Sequence, residues 1–586
     1  MPAMKSVLVA NRGEIAVRVI RSAKEMGLRT IAVYSELDRD ALHVQLADEA
    51  WNIGPAPAAE SYLNIERILA VAAEAKAESV HPGYGFLAEN ADFAEAVSAA
   101  GLIWIGPPPE SIRMMGDKIS SRQAAQAAGV PMVPGTVEAL QSADEAKTVA
   151  AKFGYPVAIK ASAGGGGKGL RVVGNEVELE AAIDGAKREA QAYFGNAEVY
   201  VEKFVENARH IEAQIIVDAD GVGHFLGERD CSVQRRHQKL IEETPAVGFP
   251  DRVRKRFGKA ALAVAEACGY RNAGTVEFLV DQDHNFYFLE MNTRLQVEHT
   301  ITEMVTGIDL VQAQLAVAQG DPLPFNNVEP RGHAIEFRIN AEDPGHDFLP
   351  TPGRVIEYRE PAGIGVRVDS WIRPSTSISQ YYDNLMAKLV VWGADRDEAI
   401  RRSRRALEEY VISGVRSTIP AHLAVLQHED FLAGRHHTKW MEDEVDLSHI
   451  TWGTSSALPE DTDLTERSIM VEVGGRRYDV RMWTSQIQPA AGGTRPAPRR
   501  KSPSLGRGSG NAGGADAGVL TAPMQGTIVK LHVKAGEHVE AGDPVCILEA
   551  MKMENEVKAP IAGEVVDLKV RAGDTVTPGA IIAVIR

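Results

Sequence analysis

The C-terminal end of the chain repeats itself, and the joint of the repeat is a lysine. Ala522-Pro523-Met524-Gln525-Gly526 returns as Ala559-Pro560-Ile561-Ala562-Gly563, an offset of 37 residues. The same offset carries Val529 to Val566, Leu531 to Leu568, Val533 to Val570, Gly536 to Gly573, Val539 to Val576 and Gly542 to Gly579. A β-rich unit this short cannot bury an apolar face alone, so two copies are expected to pack as one quasi-symmetric sandwich. Between them stands Glu549-Ala550-Met551-Lys552-Met553-Glu554, which the pattern puts on a hairpin tip. A lysine held out by a rigid scaffold is presented to something else. The plainer alternative, one solvated lysine among many, accounts for neither the repeat nor the paired methionines.

The chain is too long at 586 residues for one core, and three or four domains are expected. A net charge of −17 argues against nucleic acid or an anionic membrane as the main partner. The three cysteines (Cys231, Cys268, Cys546) are widely spaced and odd in number, so no disulfide framework is expected. Met1-Pro2-Ala3-Met4-Lys5 leads into a strand without an apolar signal-peptide core, and no run approaches the ~18 apolar residues of a membrane span. These features predict a cytoplasmic protein.

Residues 1–115 read as βαβ: Ser6 to Ala10, a helix from Ile15 to Glu25, then the strand Arg29 to Tyr34. This pattern predicts a parallel sheet. Residues 116–330 carry strand signals around a glycine run, with a lid over about 130–205, and 331–450 mix strands with helices such as Arg396 to Val411. Over 451–487, Ile469 to Val473 and Tyr478 to Met482 flank Gly474-Gly475 as a hairpin, which must dock on its own chain or on a partner. Residues 488–518 are Pro, Gly, Ala, Ser and Arg with almost no bulky apolar side chains. Such a linker spans roughly 30 Å r.m.s. and at most about 100 Å, enough for a carrier over 519–586 to visit separate sites.

Three segments carry chemistry. Ser162 to Gly169 is a glycine-rich loop after the strand Pro156 to Lys160; its backbone amides, with Lys160 and Lys168, suit phosphates. It is not a Walker A loop, because Gly169 stands where Ser or Thr is required. After the apolar run Phe286 to Leu289 come Glu290, Asn292, Arg294, Gln296 and Glu298 at every second position, which predicts five polar groups on one strand face. A solvated sheet face would look the same, but Glu290, Asn292 and the neighbouring Glu277 form a hard oxygen set suited to Mg²⁺. Third, Glu228 to Lys239 is either a solvated cationic surface or an anion pocket, with Cys231 read as structural.

The Ala-Met-Lys-Met tetrad and its repeat resemble the biotinyl (biotin carboxyl carrier) domain, which implies biotin attached covalently to Lys552. A lipoyl domain shares the fold but usually lacks the paired methionines. Residues 1–450 resemble biotin carboxylase, an ATP-grasp enzyme. The motifs are Asn11 to Ala16, His81 to Leu87, Met115 to Lys118, the glycine loop, Glu228 to Lys239, Glu290 to Glu298 and Arg338 to Pro344. The whole chain is thus similar to the α subunit of a bacterial acyl-CoA carboxylase of the acetyl- or propionyl-CoA type. The fold this implies is multidomain α/β and α+β: a parallel N-terminal domain, an ATP-grasp lid and core, a C-terminal α+β domain, a small β segment, a linker and an all-β biotinyl (barrel-sandwich) domain.

The resemblance implies that Lys118, Lys160, Gly166, Gly167, Glu202, Lys203, His210, Gln234, His237, Glu277 and Glu290 contact ATP. It gives Glu277, Glu290 and Asn292 to two Mg²⁺ or Mn²⁺ ions, and Lys239, Arg294, Gln296 and Val297 to bicarbonate. Glu298 is the implied general base, and Arg338 faces biotin. Implied partners are a biotin protein ligase and a separate carboxyltransferase β subunit, in a hetero-oligomer; residues 450–517 are too few for a carboxyltransferase. The α subunit of a methylcrotonyl-CoA-type carboxylase is the alternative within the family. An ATP-grasp ligase joining a carboxylate to an amine leaves the tail unexplained. A carrier with a degenerate ATP site fits poorly with intact Lys118, Lys160, Glu277, Glu290 and Glu298.

Overall fold

The computed structural model describes residues 4–136, 140, 142–161, 170–194, 197–323, 325, 328–450, 464–473, 476–485, 518–523, 526–550, 553–576 and 579–586. The N-terminal region holds a five-stranded parallel sheet ordered Glu49–Gly54, Arg29–Ser35, Ser6–Val9, Ser79–His81, Ile103–Trp104. Every residue of Ser6–Val9 is buried, as a parallel strand covered on both faces requires. The helix Gly13–Glu25 follows and buries Ile15, Ala16, Val19, Ile20 and Ala23 in one core with Val7 and Val9. Arg12, just before it, donates to both carboxylate oxygens of Asp38 at 2.6 and 2.8 Å. Its guanidinium also lies 4.7 Å from the ring centre of Trp371 and 4.2 Å from that of Tyr382. The first motif of the chain is thereby clamped to a segment more than 350 residues later.

An eight-stranded sheet runs Phe286–Asn292, Asn272–Val280, Arg209–Val217, Gly223–Arg235, Gln238–Thr244, His333–Asn340, Leu385–Gly393, Val366–Ser370, with antiparallel neighbours throughout. It passes from Gln238–Thr244 to His333–Asn340 without a break, so the expected boundary near 330 does not divide the sheet. A smaller three-stranded sheet (Leu170–Val173, Val157–Ala161, Val199–Lys203) carries the helices Ala143–Phe153 and Glu176–Phe194 and has a core of its own. This is the region read as a lid, and single bridges Met132↔Phe288 and Gly135↔Glu202 tie its edge to neighbouring strands. The helix expected to reach Val411 is Arg396–Glu409; Tyr410 is extended and Val411–Ser413 is a strand.

The hairpin pairs Leu464–Val473 with Arg476–Ser485, longer at both ends than the alternating pattern indicated. In the tail the 37-residue offset becomes geometry. It maps Gly526–Leu531 onto Gly563–Leu568 and His538–Val539 onto Thr575–Val576, and each of the two four-stranded sheets takes strands from both copies. Val533 and Val570 are equally buried, and Gly536, Gly542, Gly573 and Gly579 all have φ between 79° and 96°. Left-handed backbone at matching turns explains why glycine recurs there. Val529 and Val566 match as well, but both are exposed rather than core. The ladder between Pro544–Ala550 and Met553–Lys558 ends with the pair Ala550↔Met553. Met551 and Lys552 lie outside the described residues.

Candidate active site

Strand pairing assembles the site from segments far apart in the chain. The ladder sets Glu277 opposite Glu290 and opposite Glu212 on its two sides. Lys239, on Gln238–Thr244, projects its ammonium into this group and donates to Glu212 (2.7 Å), Glu277 (2.9 Å) and Glu298 (2.6 Å). Arg338, on His333–Asn340, donates through Nε to Glu242 (2.6 Å) and through a terminal nitrogen to Glu298 (2.8 Å). Glu298 is buried and immediately precedes the helix His299–Thr306, its side chain turned to the cations rather than to the helix N–H groups. Burial alone would raise its carboxyl, but Lys239, Arg338 and Arg229 hold it well below the ordinary range. The group is therefore an ionised base gripped by two cations. Cys231 is fully buried with Sγ 3.9 Å from Glu298, and burial pushes its thiol well up, away from nucleophilic use.

One expectation fails in form. The strand does not continue through Glu298: it stops at Asn292, and Arg294, Gln296 and Glu298 sit on bends and turns leading into the helix. They still converge, because Asn292 (2.9 Å) and Gln296 (2.7 Å) both donate to Glu277. Arg294 bonds Glu89 (2.8 Å) and Asn292 (2.9 Å). The carbonyl of Val297 accepts from Lys388 at 2.9 Å. The run from Glu228 to Lys239 divides: Glu228 to Arg235 are all buried, with Arg229 bonded to Glu212, Gln214 and Gln296, whereas Arg236, His237 and Gln238 are exposed.

On the side of the lid, Lys160 pairs with Glu202, which also meets Arg122 at 3.4 Å. Burial, with Arg122 and Lys118 nearby, brings the Lys160 ammonium down to about 8. Lys118 begins the helix Lys118–Ala127. Lys203 is turned to the carbonyls of Gly154 (3.2 Å) and Tyr155 (2.9 Å). Gln234 is buried, and His237 has φ of 65° in the turn after Gly223–Arg235. Gly166 and Gly167 lie outside the described residues. His210 Nε2 is 2.9 Å from Glu277.

Glu277 and Glu290 are the carboxylates that would hold a divalent ion, with Glu277 bonded to Lys239, Asn292 and Gln296. The two are cross-strand partners, Glu277 buried and Glu290 exposed at the open edge of the pair. Two adjacent carboxylates so placed gain from a cation between them. A different set, His210, Glu212 and Glu277, has ligand atoms within 4.8 Å of one another, but the Lys239 ammonium bonds both of its carboxylates. Residues that the sequence did not single out are Glu89, Glu212, Glu242 and Lys388. Several of these are charges inside otherwise apolar strands, as in Ile211-Glu212-Ala213 and Ala387-Lys388-Leu389. That pattern is itself a signal of buried polar function.

Family models match the chain in four consecutive pieces. They are the biotin carboxylase N-terminal domain over 3–112, the carbamoyl-phosphate synthase L chain ATP-binding domain over 117–326, the biotin carboxylase C-terminal domain over 336–443, and the biotin-requiring enzyme model over 518–585. The chain is 47% identical over 560 residues to the biotin-dependent acyl-coenzyme A carboxylase alpha3 subunit of Mycobacterium leprae, covering 94% of each. It is 51% identical to biotin carboxylase 1 of Bacillus subtilis, over 75% of this chain and 98% of that one. It is 41% identical to the mitochondrial methylcrotonoyl-CoA carboxylase subunit alpha of Mus musculus, over 94% and 89%. A biotin carboxylase–nucleotide complex from Campylobacter jejuni superposes with a TM-score of 0.72 at 48% identity, covering 75% of this chain and 98% of that one. Fold and matches together define an ATP-grasp ligase that carries its own prosthetic-group domain. The chain belongs to the biotin carboxylase family, as the α subunit of a biotin-dependent carboxylase whose cofactors are ATP and covalent biotin. Among the described residues no helix is long and apolar enough to cross a membrane.

Proposed function

We propose that the chain uses ATP and bicarbonate to carboxylate biotin held on its own Lys552, and that the carboxyl group passes to a separate carboxyltransferase subunit acting on an acyl-CoA. The observation that carries this is Glu298, an ionised carboxylate bonded at once to Lys239 and Arg338. In this reading Arg294, Gln296, the Val297 backbone and Lys239 hold bicarbonate against Glu298, which removes its proton as it attacks the γ-phosphate. Lys118, Lys160 and His210 balance charge on the transferring phosphoryl group. Glu277, Glu290 and Asn292 would hold Mg²⁺ or Mn²⁺, which would offset negative charge on the phosphates. Biotin, when bound, supplies the ureido nitrogen that accepts the carboxyl group. Arg338 offers its guanidinium to the ureido oxygen once Glu298 has taken a proton and loosened its hold. A lid over 130–205 excludes water while this happens.

Residues 1–115, 116–330 and 331–450 are the three carboxylase domains in this reading, 488–518 the tether and 519–586 the carrier. The hairpin within 451–487 is the docking element for the partner subunit. The acyl group is acetyl, propionyl or another acyl chain selected by the partner subunit; the Mycobacterium leprae relative is named for acyl-coenzyme A without a particular acyl group. The mouse relative keeps a methylcrotonoyl-type partner in play. The test is bicarbonate-dependent ATP cleavage with free biotin in the full chain. Lys552→Ala should spare that activity and abolish carboxyl transfer to acyl-CoA in the presence of the β subunit. Retained acyl-CoA carboxylation in this variant would overturn the carrier assignment.

A further inference from the structure

Directly behind Arg338 two more carboxylates lie side by side. Glu242 and Glu336 are register partners on the adjacent strands Gln238–Thr244 and His333–Asn340, so their side chains project from the same face at neighbouring positions. Arg338, two residues beyond Glu336, emerges on that face too, and Lys388 is its partner on the next strand. Both glutamates are fully buried. Each has one satisfied oxygen: Glu242 Oε1 accepts from Arg338 Nε at 2.6 Å, and Glu336 Oε2 accepts from the hydroxyl of Thr300. Each has one buried oxygen with no partner, Oε2 of Glu242 and Oε1 of Glu336. Two carboxylates cannot satisfy each other while both are ionised. A single proton between the two orphan oxygens removes both deficits and the repulsion together.

We infer that Glu242 and Glu336 share one proton, Glu336 donating its O–H to Glu242 Oε2, and that this couple is the positioning device that fixes Arg338 through Nε. The inference rests on the reading of Arg338 as the cation that faces biotin. The surroundings are consistent. Burial pushes the Glu242 carboxyl up to about 8 and that of Glu336 up to about 7, each against the pull of Arg338. The charged or titratable groups facing the couple are Lys239 from its own strand, Cys231 from Gly223–Arg235, Arg338, Lys388 from Leu385–Gly393, and Glu298, with Thr300 on the helix that covers it. The two held cations nearest Glu298 are thus anchored from behind: Lys239 by Glu212 and Glu277, Arg338 by Glu242. When Glu298 takes up a proton, Arg338 loses one of its two anchors. The couple keeps the other, so the guanidinium pivots about Nε instead of drifting.

The test uses the full chain at neutral pH. Infrared difference spectra of parent against Glu336→Gln should show loss of one buried un-ionised carboxyl band, and against Glu242→Gln a shift of that band as its acceptor is replaced. Absence of that band in the parent overturns the couple. In kinetics, Glu336→Leu should raise the KM for free biotin about tenfold. The KM for ATP should stay within about twofold, because the couple touches no ATP-side group. Glu336→Gln, whose amide N–H can still donate to Glu242, should restore the biotin KM toward the parent value. Equal KM values for the Leu and Gln variants, with the band present, would overturn the positioning role. Arg338→Gln separates the two readings. If it still carboxylates free biotin, the assignment of Arg338 fails while the carboxyl couple stands on its spectrum.

Discussion

Glu242 and Glu243 are consecutive residues that face opposite sides of one strand, and the two sides are built on opposite rules. Behind the sheet, Glu243 accepts from Arg396 at 2.7 and 3.0 Å and is 2.7 Å from His333 Nε2. Its register partner Asp230 accepts from Arg209 and Ser232, and His436 lies between the two acids at 3.3 and 3.6 Å. Arg396 goes on to the carbonyls of Phe431 and Leu432. Every carboxylate oxygen of Glu243 is used, and burial is overcome so far by Arg396 and His333 that the carboxyl falls to about 2. In front, orphan oxygens remain on Glu242 and Glu336, and Glu242 is driven the other way. A saturated ion cluster holds strands and helices in register. The front cluster instead lacks cations for all its carboxylates, and a shared proton on the couple makes up the difference while Glu298 stays free to change partners.

The sharpest way to break this comparison is to neutralise one acid on each side. Glu298→Gln should lower bicarbonate-dependent ATP cleavage about 10³-fold, followed by phosphate release, because the general base is gone. Glu243→Gln should leave the rate per folded molecule within about twofold. A comparable loss of rate in both variants would show that the rear cluster is part of the chemistry. Stability should reverse the order. Glu243→Gln leaves the partly buried Arg396 without its counter-charge and should cost about 2 kcal/mol by urea denaturation. The pH dependence sharpens the point. A carboxyl held down to about 2 when folded, against about 4.3 when unfolded, stabilises above pH ~4.3, and that contribution is lost as the pH falls toward 2. The stability gap between parent and Glu243→Gln should therefore narrow across that window. The smallest effect is expected of Arg12→Lys, which keeps the charge but loses the planar stack on Trp371 and Tyr382 and the paired bonds to Asp38, at about 1–2 kcal/mol. Equal urea midpoints would mean that the clamp adds nothing beyond charge.

The tail was legible because a repeat constrains two copies at once, so strand ends, buried valines and turn glycines all fell on the 37-residue offset. The convergence of Asn292 and Gln296 on Glu277 was legible in residue type but not in conformation. Alternation of polar and apolar residues persists past Asn292, yet the chain bends there to reach the helix that follows Glu298, and a loop can aim alternate side chains inward as well as a strand can. Glu212, Glu242 and Lys388 escaped notice because each is one charge set among apolar neighbours or beside a like charge on its own strand, with no local partner to mark it. Their meaning arises only when five strands from residues 209 to 393 lie side by side. Nothing local encodes that adjacency.

The clamp on Arg12 has an outcome for biosynthesis. One of its two aromatic walls, Tyr382, also donates to Ser35 at 2.6 Å, so the earliest-made strands complete their contacts with residues that leave the ribosome several hundred codons later. The opening domain must wait, exposed, for the closing one. A nascent chain halted short of Tyr382 would present that unfinished seam to chaperones and proteases.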